Sequence, residues 1–183
     1  SSRNGHDPDD PDDPSARFSV SVSCRPCLSS GPESNARAYV RGPDPLSIVL
    51  CSNQLRGPEE VSEVLIHELV HAYDVRVRGL DLRDCRDLAY SEVRAAREAE
   101  CRHLDRAADG LPPPPPPGAK GDNHPSDAGR GVGGLGPAAW MSDLALGVCV
   151  RSKAATATRN MFPERGGACV GAVFERAVRD RSP

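Results

Sequence analysis

The chain has 183 residues and a formal net charge of −3; aromatic residues make up only 4%, and 17 Gly with 18 Pro account for about a fifth of its length. That composition fits one domain with irregular segments and excludes a dense core running through the whole chain. The charge excludes a strongly basic nucleic-acid binder, so no nucleic-acid partner is expected, and no apolar run approaches the ~18 residues needed to span a bilayer.

Residues 7–14 read DPDDPDDP. Prolines break helices and aspartates bury nothing, so 1–17 is expected to be a disordered acidic lead. Residues 18–183 are expected to form one domain. Phe18 to Cys24 alternate as FSVSVSC, the period of a half-buried strand. Leu46 to Cys51 give a second strand candidate. Gly57-Pro58-Glu59-Glu60 opens a helix, with Pro in the first turn and acids at the positive helix end. This helix is predicted over 59–77, stopping near Gly79. Its middle is apolar nearly all round (Val64, Leu65, Ile66, Leu69, Val70, Ala72, Tyr73), which predicts burial at the domain centre.

A second helix is predicted over 84–108 from the helical recurrence of Leu88, Ala89, Val93, Ala96, Leu104 and Ala107. Residues 110–137 contain 16 Gly or Pro out of 28, six of them consecutive prolines, and read as a low-complexity insertion. Further helices are predicted at about 142–157 and 168–179.

The seven cysteines are Cys24, Cys27, Cys51, Cys85, Cys101, Cys149 and Cys169. A single C-x-x-C pair is not a zinc ribbon, which needs two. A disulfide framework in an oxidising compartment fits better, with the odd count leaving at least one thiol free or intermolecular. Cys85 and Cys101 should not pair with each other if both lie on one helix, because sixteen residues of helix span about 24 Å, beyond the ~7 Å Cα limit. Cys24 and Cys27 are expected to staple the first strand to later segments.

His67-Glu68-Leu69-Val70-His71 is H-E-x-x-H within the central helix. Positions i and i+4 share one face, so both imidazoles can bind one Zn²⁺. Glu68 lies about 100° further round the helix. From there it can take a proton from water acidified by the metal, acting as the catalytic base. A chance match is the competing reading, but two His and a Glu in a buried helix are costly unless paired or metal-bound.

A third ligand is needed. A third His ten residues after His67 is excluded, since Val77 stands there. Glu92, 21 residues after His71 on the next helix, is the best-placed candidate. Glu98, Glu100 and His103 are rivals; Glu98 and Glu100 read first as a solvated helix face, and His103 as either a site residue or a surface one. Asp74 could fix a ligand imidazole's tautomer or pair with Arg78 at i+4. Arg94 could stabilise an oxyanion, but a structural ion pair is the better expectation.

HELVHAYD at 67–74, CSNQL at 51–55 and SEVRAA at 91–96 resemble a family of mitochondrial inner-membrane metalloproteases that double as ATP synthase assembly factors. GVCVRS at 147–152 and AVFERAV at 172–178 resemble its C-terminal part more weakly. The resemblance implies an α+β, zincin-like metallopeptidase domain: a small sheet packed on a central H-E-x-x-H helix, with a helical C-terminal part. It also implies a zinc endopeptidase on the intermembrane-space side, held peripherally at the inner membrane. The implied partner is the precursor of a membrane-embedded ATP synthase subunit, which the family trims and helps to assemble. His67, His71 and Glu92 would hold Zn²⁺, and Glu68 would be catalytic.

The chain departs from the family's pattern in places. Val75-Arg76-Val77, Tyr90 and Ala177 stand where the resemblance implies cysteines, and Asp87-Leu88 stands where it implies a histidine pair. Fewer disulfides are therefore expected. Two other readings compete with the enzyme: a non-proteolytic assembly chaperone on the same scaffold, and a disulfide-stapled interaction module. The intact Glu68 argues against the chaperone alone, because a structural metal site needs no general base.

Overall fold

The computed structural model describes residues 19–30, 36–42, 44–104 and 138–182, the first four residues of the last stretch in backbone only. The acidic lead at 1–17 and the insertion at 110–137 lie outside the described residues. The elements are β1 (Ser21–Arg25), β2 (Ala38–Arg41), β3 (Ser47–Cys51), α1 (Pro58–Arg76), α2 (Cys85–Glu98), α3 (Ala138–Met161) and α4 (Gly166–Arg179).

The strands form one sheet in the order β1-β3-β2, with β3 parallel to β1 and antiparallel to β2. A central strand is covered on both faces, which is why β3 is a continuous apolar run. Ile48 and Leu50 pack with Val64 and Ala72 of α1, while Val49 and Cys51 pack with Cys27 on the opposite face. The alternating first strand forms, but all five of its residues are exposed rather than half-buried. β2 was not anticipated, because four residues carry too little periodicity to be read as a strand.

Pro58 opens α1, Glu59 and Glu60 sit in its first turn, and Arg76 lies in its last. Gly79 takes a left-handed φ of 69°, a conformation that favours glycine, and the next amide, Leu80 N–H, donates to the Asp74 carbonyl at 3.0 Å. The expectation of all-round burial fails. Leu65, Ile66, Leu69, Val70 and Tyr73 stay partly exposed, while Val64, Glu68, His71, Ala72 and Asp74 are buried. The sheet and α2 cover two sides of the helix and leave an apolar groove along a third.

Asp84 caps α2 by accepting from the amides of Arg86 and Asp87 at 2.8 and 3.2 Å. The helix ends at Glu98, ten residues before the predicted limit, because Ala99 leaves helical geometry at φ −102°, ψ −87°. α2, α3 and α4 share a second core built from small side chains, among them Ala89, Val93, Ala96, Val150, Ala154 and Val170. Gly166 lets α4 turn tightly against α3, since a Cβ there would stand 2.9 Å from the backbone of Thr158 and Arg159.

Three disulfides tie the chain: Cys27–Cys51, Cys85–Cys169 and Cys101–Cys149. Cys85 and Cys101 do not pair with each other, although Cys101 lies beyond the end of α2 at Glu98 rather than on the same helix. The expectation for Cys24 is corrected: Cys27 staples the segment after β1 to β3, whereas Cys24 faces solvent as a free thiol. Cys24 sits on an exposed strand edge, while Cys27 is buried beside Cys51. Alkylation of the native, non-reduced protein followed by peptide mapping should therefore label Cys24 alone and recover these three linked pairs. A Cys24–Cys27 link, or seven labelled cysteines, would contradict the arrangement.

Candidate metal centre

α1 presents His67 and His71 one turn apart, and α2, packed beside it, presents Glu92 between them. The two Nε2 atoms face each other at 3.0 Å. Glu92 Oε2 lies 3.4 Å from His67 Nε2, and Glu92 Oε1 lies 3.6 Å from His71 Nε2. Donors held at ~2.0–2.1 Å around a tetrahedral ion stand about 3.3 Å apart, so this triangle fits one small divalent cation. Glu92 Oε2 is buried yet makes no hydrogen bond. A buried carboxylate oxygen without a hydrogen-bond donor suits a metal ligand and is uncommon in an ordinary core.

The outer ring nitrogens are also engaged. His67 Nδ1 lies 3.2 Å from Glu100 Oε2, and His71 Nδ1 lies 2.7 Å from Ser91 Oγ. Glu100 is thus not on a solvated face. The chain leaves the α2 axis just before it, and its side chain turns inward to 11% exposure. Glu98 does face outward, pairing with Arg97, and His103 is exposed and away from the donors. Asp74 is fully buried and does not touch an imidazole; it accepts from Ser91 Oγ at 2.8 Å and from Arg94, with Arg78 more distant at 3.9 Å. Arg94 therefore has the structural ion pair expected of it. Ser91 was missed, because a serine within a helix gives no signal; its place beside Glu92 was the one available clue.

Burial lowers the basicity of His67, but the Glu100 hydrogen bond and the adjacent carboxylates of Glu92 and Glu100 outweigh it and raise the pKa to about 10. His71 goes the other way, to about 4, chiefly through burial. Before an ion binds, His67 thus carries the extra proton beside Glu92 and Glu100, and His71 is neutral. Burial pushes Asp74 up as well, against the Ser91 hydrogen bond and the charges of Arg94 and Arg78.

Glu68 is buried and stands off the donor triangle, in a cleft of about 240 Å³ lined by Arg37, Ala38, His67, Glu100 and Asn160 among others. Burial, with the neighbouring charges of Glu92 and Glu100, raises its pKa to about 7 against the opposing charges of His67 and Arg37. A larger cavity of about 460 Å³ between β2 and the loop after α1 carries none of the donor set.

The family model described as Peptidase M76 family matches residues 12–111, more than half of the chain. The mitochondrial inner membrane protease ATP23 of Lodderomyces elongisporus is 43% identical over 56 residues, 30% of this chain and 23% of that protein. Its counterpart in Botryotinia fuckeliana is 45% identical over 56 residues, again 30% and 23%. In Schizosaccharomyces pombe the figures are 32% over 82 residues, 44% of this chain and 40% of that protein. The chain thus spans about a quarter of the length of the first of these relatives. No solved structure matches.

A cation entering the triangle must displace the proton on His67. Calorimetric titration with a divalent metal at pH 7, repeated in buffers of different ionisation enthalpy, should show release of about one proton per ion. Apparent affinity should rise roughly tenfold per pH unit between 6 and 8, since that proton is increasingly easy to remove. Affinity independent of pH would mean that His67 is not a ligand.

Proposed function

The chain belongs to the peptidase M76 family, and we propose that it is a zinc-dependent endopeptidase of zincin-like build. We place it at the mitochondrial inner membrane, held peripherally on the intermembrane-space side. There it would trim the precursor of a membrane-embedded ATP synthase subunit and assist that subunit's assembly. The observation that carries the enzymatic reading is the donor triangle of His67, His71 and Glu92 with Glu68 in the adjoining cleft. The relatives' names support the membrane assignment, and three disulfides suit an oxidising compartment. Among the described residues, no helix is long and apolar enough to cross a membrane.

In this reading His67 Nε2, His71 Nε2 and a Glu92 oxygen hold the zinc. When bound, zinc supplies Lewis acidity, acidifying water and polarising a substrate carbonyl. The remaining chemistry belongs to side chains of this chain. Glu68, with its pKa near 7, can accept a proton from the attacking water at neutral pH and return it to the leaving amine. β2 is a sheet edge whose Ala38 lines the cleft, so an extended peptide added to that edge would pass over Glu68. Arg37 is held at the cleft rim by Glu60 and Glu63 at 3.1 and 3.2 Å, which keeps its charge close to Glu68 without a direct pair.

Glu68→Gln removes the base and keeps the side chain's size. Zinc content should stay at the wild-type level, because the donor set is untouched. Peptide cleavage should fall about 10²–10⁴-fold. Cleavage at the wild-type rate would sink the enzymatic reading. Lost cleavage with retained support of ATP synthase assembly would assign the assembly role to the scaffold rather than to the chemistry.

A further inference from the structure

An imidazole binds a metal through one nitrogen only if its proton sits on the other. For His71 the donor-side atom is Nε2, which faces His67 and Glu92. The atom to be protonated is Nδ1, and its partner is the hydroxyl of Ser91 at 2.7 Å. A hydroxyl is ambivalent: it can donate or accept. Alone, Ser91 would stabilise either form of the ring.

Asp74 removes the ambiguity. Ser91 Oγ stands 2.8 Å from Asp74 Oδ2, and a carboxylate only accepts. The single hydroxyl proton of Ser91 must therefore go to Asp74. That leaves only lone pairs for His71, so His71 Nδ1 must donate. The other Asp74 oxygen is taken by Arg94, a pure donor, which also donates to the Ser182 carbonyl at 2.5 Å. His71, Asp74, Ser91 and Arg94 are all nearly or fully buried, so water does not compete for these bonds. Every member of the chain has its direction set by the next, from a fixed cation outward to the ring.

We propose that Ser91, directed by the Asp74–Arg94 pair, is the positioning residue that holds His71 in the Nδ1–H tautomer and so sets the metal affinity of the site. This rests on the metal reading above. Glu100 does for His67 by direct contact what Asp74 does for His71 through Ser91.

The test reads the tautomer and the affinity separately. Long-range ¹H–¹⁵N spectra of the metal-free protein report which nitrogen of His71 carries the proton. Competition with a chromophoric chelator gives zinc affinity. Wild type should show His71 protonated at Nδ1; a proton on Nε2 overturns the proposal whatever the variants do. Ser91→Ala should leave the tautomers mixed and weaken zinc binding about 10–100-fold, with the folded far-UV spectrum retained. Ser91→Thr, which keeps the hydroxyl, should preserve the wild-type tautomer.

Asp74→Asn is the sharper variant. The amide oxygen will face Arg94, turning the amide nitrogen towards Ser91. Ser91 then accepts from Asp74→Asn and donates to His71 Nδ1, moving the ring proton to Nε2. A Ser91→Ala protein that melts earlier, yet keeps the tautomer and binds zinc as tightly as wild type, would make Ser91 merely structural and overturn the proposal. If wild type takes up no zinc, the metal reading fails by itself, while the tautomer still decides the relay.

Discussion

Two imidazole nitrogens 3.0 Å apart beside a buried, undonated carboxylate oxygen cannot rest there on their own. Without a proton on either nitrogen their lone pairs would oppose one another, and burial removes the water that would otherwise separate them. A proton on one of the two nitrogens, or a metal ion between them, makes the arrangement favourable. The pKa shifts of His67 and His71 run in opposite directions, so one ring holds the extra proton and the other is neutral. The surroundings are organised around that constraint. α1 fixes the histidine spacing, α2 delivers Glu92, and each outer ring nitrogen has its own acceptor.

The donor set also lies where two separate cores meet. Residues of β3 and α1 form one apolar cluster, and α2, α3 and α4 form the other. The disulfides do not bridge them: Cys27–Cys51 lies within the sheet, while Cys85–Cys169 and Cys101–Cys149 lie within the helical part. The seam is crossed by the packing of α1 on α2, by the Asp74–Arg94 and Arg78–Asp180 pairs and by the site itself. An ion held by two residues from one side and one from the other would therefore tie the cores together. Its affinity adds to the stability of the folded state by mass action.

The parts legible in the sequence were those written in local spacing. H-E-x-x-H depends on helical periodicity alone, and Glu92 could be placed because the next helix was readable. Cys85 and Cys101 pair elsewhere, as expected, but not for the expected reason, since α2 ends at Glu98 before Cys101. What stayed hidden depends on how elements meet. Glu100 looks like a surface acid until the chain turns out of α2 at Ala99, and Ser91 looks like a neutral helix residue until Asp74 is seen opposite it. The central helix looked enclosed because its residues are apolar all round, but only packing decides how many faces are covered. β2 was too short to leave a pattern.

The departures from the related family have a structural counterpart. Tyr90 and Ala177 stand where the resemblance implies cysteines, and both sit in the same helical core. In this chain the tie to the C-terminal segment is polar instead. The Tyr90 hydroxyl donates to Asp180, Arg78 pairs with Asp180 at 2.6 Å, and Arg97 donates to the Val178 carbonyl at 2.7 Å. Arg94 then joins the Ser182 carbonyl to Asp74. A tie made of hydrogen bonds and ion pairs is indifferent to thiol redox chemistry, unlike a disulfide at the same place. The route from the C-terminal segment through Arg94 and Asp74 to Ser91 and His71 is therefore set by charge and hydrogen-bond direction, and the cysteines act separately, holding the helices on which those groups are mounted.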